Sequence, residues 1–119
     1  MATGSIKSEE IINGLDITSQ ISKTSGDSNI TNAKFSRYGK LCCLSITINS
    51  TAAVPVGDNA FVGTIPSAYA AMDRCSAVGY AGSTAIVFYL TGNSLRARVI
   101  GSQLPINYSV GTGINYLGT

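Results

Sequence analysis

Hydrophobic and polar positions alternate along much of this chain, and the alternation is sharpest between Arg74 and Gly101. Arg74-Cys75-Ser76-Ala77-Val78-Gly79-Tyr80 reads as a short strand, and Gly82-Ser83 supplies a turn. Ala85-Ile86-Val87-Phe88-Tyr89-Leu90 is a β-branched and aromatic run. Thr91-Gly92-Asn93-Ser94 turns the chain, because Gly and Asn accept the positive φ of a tight hairpin. In Leu95-Arg96-Ala97-Arg98-Val99 the apolar residues then share one face and both arginines the other. The pattern is a β-meander with one wet face.

A second clear alternation is Leu41 to Asn49, with Cys42, Leu44, Ile46 and Ile48 on the buried side and Ser45, Thr47 and Asn49 opposite. In the run before it, Ala33 to Lys40, Phe35 and Arg37 share a face and a Gly turn follows. Ser50 to Gly57 reads as a loop in which Pro55 keeps Val54-Val56 out of a central ladder. Ala60 to Pro66 reads as a short strand, and Ser67 to Asp73 as a 3₁₀ turn or loop. Gln103 to Val110 reads as another strand, Gly111-Thr112-Gly113 as a turn, and Ile114 to Leu117 as the closing strand. Seven or eight strands at about ten-residue spacing without a convincing helix predict an all-β protein, a small antiparallel β-sandwich or β-barrel.

The first 34 residues differ. They are rich in Ser, Thr, Asn and Gly, with single apolar residues at Ile6, Ile11, Ile12, Leu15, Ile17, Ile21 and Ile30. Ser8-Glu9-Glu10 resembles a helix start that Asn13-Gly14 interrupts. The expectation is an N-terminal arm over residues 1–34, either a disordered leader or an extended segment packed on a neighbour, ahead of a head over residues 35–119. Lys7, Glu9 and Glu10 stand where a signal peptide would be apolar, which points to synthesis and assembly in the cytoplasm of the producer.

Composition sharpens this picture. The chain has 119 residues, one domain's worth, and only 12% are charged, about half the usual share. Either Ser and Thr surface the sheets, or much of the exterior is an obligate subunit interface, where charge is disfavoured. The formal charge of +2, without a basic cluster, points away from nucleic acid and from anionic membranes.

There is no histidine, so neither a Ser-His or Cys-His pair nor an imidazole metal ligand is available. The acids are Glu9, Glu10, Asp16, Asp27, Asp58 and Asp73, and their spacing marks no catalytic pair; Gly57-Asp58-Asn59 reads as a turn. Gly111-Thr112-Gly113 lacks the third glycine and following helix of a dinucleotide loop. Cys42, Cys43 and Cys75 have no metal-ligand spacing and read as buried free thiols, with a Cys42–Cys75 bridge as the alternative. No catalytic residue, metal or cofactor is therefore expected.

Recognition is left. Six tyrosines offer flat faces with a hydroxyl, which suits sugar rings and wet interfaces. Arg96 and Arg98, side by side on a polar strand face, have the planar forks that grip phosphate or carboxylate. Tyr80, Tyr89, Arg96 and Arg98 are the candidate ligand-binding residues. The plainer alternative makes them partly buried sheet tyrosines and solvent-facing arginines.

Ile65-Pro66, Asp73-Arg74-Cys75-Ser76-Ala77-Val78-Gly79, the Gly92-Asn93 hairpin and Gly111-Thr112-Gly113-Ile114-Asn115-Tyr116 together resemble the C-terminal heads of phage receptor-binding proteins. The nearest likeness is to baseplate tip proteins of siphophages that infect lactic-acid bacteria, and it runs from about Phe35 to the end. The resemblance implies a jelly-roll-like head in a homotrimer, located in the virion at the tail or baseplate tip. An N-terminal region would attach it to other tail proteins, and host cell-wall saccharide would be the ligand, with no membrane insertion. The His and Trp that such heads often place in the saccharide cleft have no counterpart here. Two further readings stand beside it: a structural virion component without host binding, and a stand-alone saccharide-binding lectin.

Overall fold

The structure, a computed structural model, describes residues 11–57 and 59–119. The helix start read at Ser8-Glu9-Glu10 and the turn residue Asp58 lie outside these. Among the described residues there are nine strands, in order β1 (Ile11–Asp16), β2 (Ser22–Ser25), β3 (Ser28–Tyr38), β4 (Leu41–Ser50), β5 (Asn59–Thr64), β6 (Cys75–Ala81), β7 (Thr84–Thr91), β8 (Ser94–Ile100) and β9 (Ser109–Leu117). Two 3₁₀ turns, Thr18–Gln20 and Ser67–Tyr69, are the helical elements among them. The strands pair antiparallel in two sheets, β1-β3-β4-β9 and β2-β5-β8-β7-β6, which pack face to face as a β-sandwich.

The alternation read from the sequence sets the core. Cys42, Leu44, Ile46 and Ile48 of β4 face Ile86, Phe88 and Leu90 of β7 and Leu95, Ala97 and Val99 of β8, all of them buried. Gly39, Gly82 and Gly92 each take the first place of a two-residue hairpin turn, with φ of 62°, 62° and 59°. That backbone twist matches the flanking strands and fixes the registers of β3–β4, β6–β7 and β7–β8. β5 lies beside β8, which makes β5 to β8 a Greek key. The implied jelly roll is not the pairing seen, because β3–β4 and β6–β7–β8 are local hairpins within their own sheets.

Three expectations are corrected. The boundary expected at residue 34 falls inside β3, and residues 11–34 belong to the sandwich. β1 edges one sheet, β2 edges the other, and Ile17 between them is fully buried. Its amide donates to the Ala33 carbonyl at 2.9 Å, and Thr18 Oγ1 accepts the Ala33 amide at 2.9 Å.

Of the strand expected over 103–110, Ser109 and Val110 pair as the start of β9, and residues 103–108 are instead a loop with its ends held. Leu104 forms a bridge to Val54, Asn107 has φ 66°, and Ile106 and Tyr108 are exposed. Buried Ser50 anchors this loop by donating to the Pro105 carbonyl at 2.6 Å and accepting the Tyr108 amide at 2.9 Å.

Gly111-Thr112-Gly113 is the middle of β9 rather than a turn, opposite Thr47, Ile46 and Ser45 of β4. The glycine here serves a close approach. A Cβ on Gly79 of β6 would lie 2.6 Å from the Gly111 carbonyl oxygen and 2.9 Å from Val110 Cγ1. The bare backbones let the edge strands of the two sheets touch, and Thr112 Oγ1 donates across to the Val78 carbonyl at 3.1 Å.

Candidate functional site

β7 and β8 place three of the four sequence-derived candidates together. Tyr89 lies directly opposite Arg96, and Val87 opposite Arg98. Tyr89, Arg96 and Arg98 therefore project from the outer face of the five-stranded sheet, while Phe88, Leu95, Ala97 and Val99 point into the core. The two arginines are separated by two residues along one strand, about 7 Å. Tyr80 is not part of this group. It pairs with Ala85 at the far end of the β6–β7 hairpin, four residues along β6 from Ser76, the partner of Tyr89, or about 13 Å away. It is 74% exposed there.

The structure adds members that the sequence did not single out. A depression of about 430 Å³ is lined by Arg74, Tyr89, Thr91, Ser94, Arg96 and Arg98. Arg74 enters it from the residue just before β6, with its guanidinium carbon 5.2 Å from the centre of the Tyr89 ring. That is a cation–π contact. Thr91 and Ser94 close the Gly92-Asn93 hairpin opposite one another and bring their hydroxyls to the rim. A signal for Arg74 existed in the sequence. It is one residue upstream of Cys75, and in the hairpin register Cys75 pairs with Leu90, next to Tyr89.

Chemically the lining is one-sided. Three guanidinium groups offer donors and positive charge and no acceptor, and among the described residues no Asp or Glu lines the depression. Paired forks of this kind suit a planar or tetrahedral oxyanion, and the Tyr89 ring gives an apolar plate beside it. The lining contains no general base and no nucleophile paired with one. Among the described residues no group of His, Cys, Asp or Glu is placed to hold a metal ion.

The three cysteines are free, so the alternative Cys42–Cys75 bridge is not formed. Burial pushes the Cys42 and Cys75 thiols up from their ordinary value, and each donates to a main-chain oxygen, of Lys40 and Leu90 respectively. Tyr116 is raised far more strongly by burial, and its hydroxyl donates to the Tyr69 carbonyl at 2.7 Å. These groups are packing elements at the end of the core. A second hollow, about 530 Å³ and largely apolar, lies on the other sheet beside them, between Ile12, Tyr38, Leu41, Cys43 and Leu117.

No family model, no curated protein and no solved structure matches this chain.

Proposed function

We propose that the protein is a non-enzymatic phage adhesin that recognises an acidic saccharide of a host cell wall in the Arg74–Tyr89–Arg96–Arg98 depression. The observation that carries this reading is a hollow lined by three arginines and one tyrosine, with the Arg74 guanidinium over the Tyr89 ring and no described carboxylate in the lining. The arginines take a phosphate or carboxylate on the sugar chain, the ring takes a sugar face, and Thr91 and Ser94 meet hydroxyls. The phage assignment rests on the likeness of the Ile65–Gly79 and Gly111–Tyr116 segments to receptor-binding heads. On that basis the protein sits at a tail or baseplate tip as a homotrimer beside other tail proteins.

The test is adsorption of the purified protein to host walls. Arg96→Ala with Arg98→Ala should weaken it at least tenfold, with an unchanged melting temperature. Walls stripped of phosphate, or with their carboxyl groups reduced, identify which anion is held. Undiminished adsorption of the double variant removes the depression from recognition.

A further inference from the structure

The two outer faces of the sandwich are built differently, and the face away from the arginines resembles a surface meant to be covered. In β4 and β9 there is no charged residue. Outward positions on the β1-β3-β4-β9 sheet carry Ser36, Cys43, Ser45, Thr47 and Asn115, with bare backbone at Gly111 and Gly113. Lys34 and Asp16 oppose each other at the β1 edge and cancel in charge. Arg37 lines the hollow at one end of the face, and its guanidinium donates to the main-chain oxygens of Gly39 and Thr119. At one end of the face four large side chains form a row across all four strands: Ile11, Tyr38, Leu41 and Leu117, 41%, 59%, 64% and 52% exposed.

We propose that this face is where copies of the chain pack on one another. Three features select a second copy as the occupant. Strands of 6, 11, 10 and 9 residues lying side by side present roughly 600 Å² at about 3.4 Å per residue and 4.8 Å per strand. Two such faces bury about 1,200 Å², the lower bound for a stable specific interface. Apart from the Lys34 and Asp16 pair at the β1 edge and the Cys43 thiol, the polar residues on the face are hydroxyls and amides, which donate and accept alike, so the surface pairs with its own kind. A partner presenting charges would find no complement on β4 or β9 and would leave them buried unpaired. The glycine-flattened β9 permits close approach, and the row, whose Tyr38, Leu41 and Leu117 also line the hollow, meets the same apolar patch of the next copy. The arginine-bearing face stays free for a ligand.

The test is mass in solution by sedimentation velocity, at the same protein concentration for every variant. The wild-type chain should sediment as an assembly, and Leu41→Glu should sediment as a single chain. Ser45→Arg, at an exposed position where no apolar contact within the fold is lost, should do the same with an unchanged circular dichroism spectrum and melt. Val78→Glu, on the outer face of the other sheet, should keep the wild-type mass. A monomeric wild type overturns the proposal. So does an assembly that survives both Leu41→Glu and Ser45→Arg, or one that only Val78→Glu dissolves. This outcome is read in mass and the saccharide outcome in adsorption, so either proposal fails without the other.

Discussion

At the scale of single residues, much of the molecule is organised by small groups that settle a main-chain oxygen. Ser28 Oγ donates to the Ala60 carbonyl at 2.6 Å, Ser50 holds the 105–108 loop, and Thr84 donates to the Gln103 carbonyl at 3.2 Å. All three are buried, and among the described residues no buried side-chain oxygen or nitrogen lacks a partner. The cysteines follow the same economy. Thiolate is the reactive form, and burial disfavours it at Cys42 and Cys75. Cys43 projects outward into the apolar hollow and is half-buried. With a thiol reagent at pH 8, Cys43 should be modified first in the single-chain Leu41→Glu variant, and Cys42 and Cys75 only slowly while that chain is native. Mass spectrometry of the labelled peptides reads the order, and equally fast labelling of Cys42 would contradict the burial described.

At the scale of elements, the segment that joins the two sheets tests whether the N-terminal residues belong to the fold. Ile17→Ala removes a fully buried side chain between β1 and β2 and should cost about 2–5 kcal/mol in denaturant unfolding. A loss below about 0.5 kcal/mol, the range of an ordinary surface change, would return residues 11–25 to the status of a detachable arm. This element also shows where the sequence was legible. β4, β7 and β8 were readable because a strand with one dry face repeats every two residues, and their two-residue turns begin with Gly. Residues 11–25 were not, because most of their side chains are exposed and the register shifts at a bulge between Ile12 and Leu15. One buried isoleucine leaves no period to detect. β9 was misread for the opposite reason. Its Gly111 and Gly113 look like turn residues, yet both pair within the sheet, and a Cβ on Gly111 would lie 2.8 Å from Thr47 Oγ1 of the neighbouring strand. Of the candidate site, Tyr89, Arg96 and Arg98 followed from alternation alone, whereas Arg74 needed the β6–β7 register to bring it over the ring. Tyr80 sits on the same outward face, but distance along the strand, which alternation does not report, separates it from the arginines.

At the scale of the whole molecule, the two sheets are fastened very differently along their two long sides. Along one, β6 and β9 touch backbone to backbone through Gly79 and Gly111 and are latched by Thr112. Along the other, among the described residues, the thread carrying Ile17 and the short link from β2 to β3 pass between the sheets, with Ser28 Oγ donating to the Ala60 carbonyl, and the strands β1 and β2 beside them are exposed. The sandwich thus has a bound spine and a loose fore-edge, like a book, and thermal opening should start at the fore-edge. Amide hydrogen exchange should therefore be fastest in peptides from residues 11–25 and slowest in β4, β7 and β8, with β9 protected although it is an edge strand. Replacing Gly79 with alanine would wedge the spine and speed exchange in β6 and β9 together. A protein hinged in this way yields on the side away from the spine, so a pull applied through its first strand would open the pages one at a time rather than tear the binding.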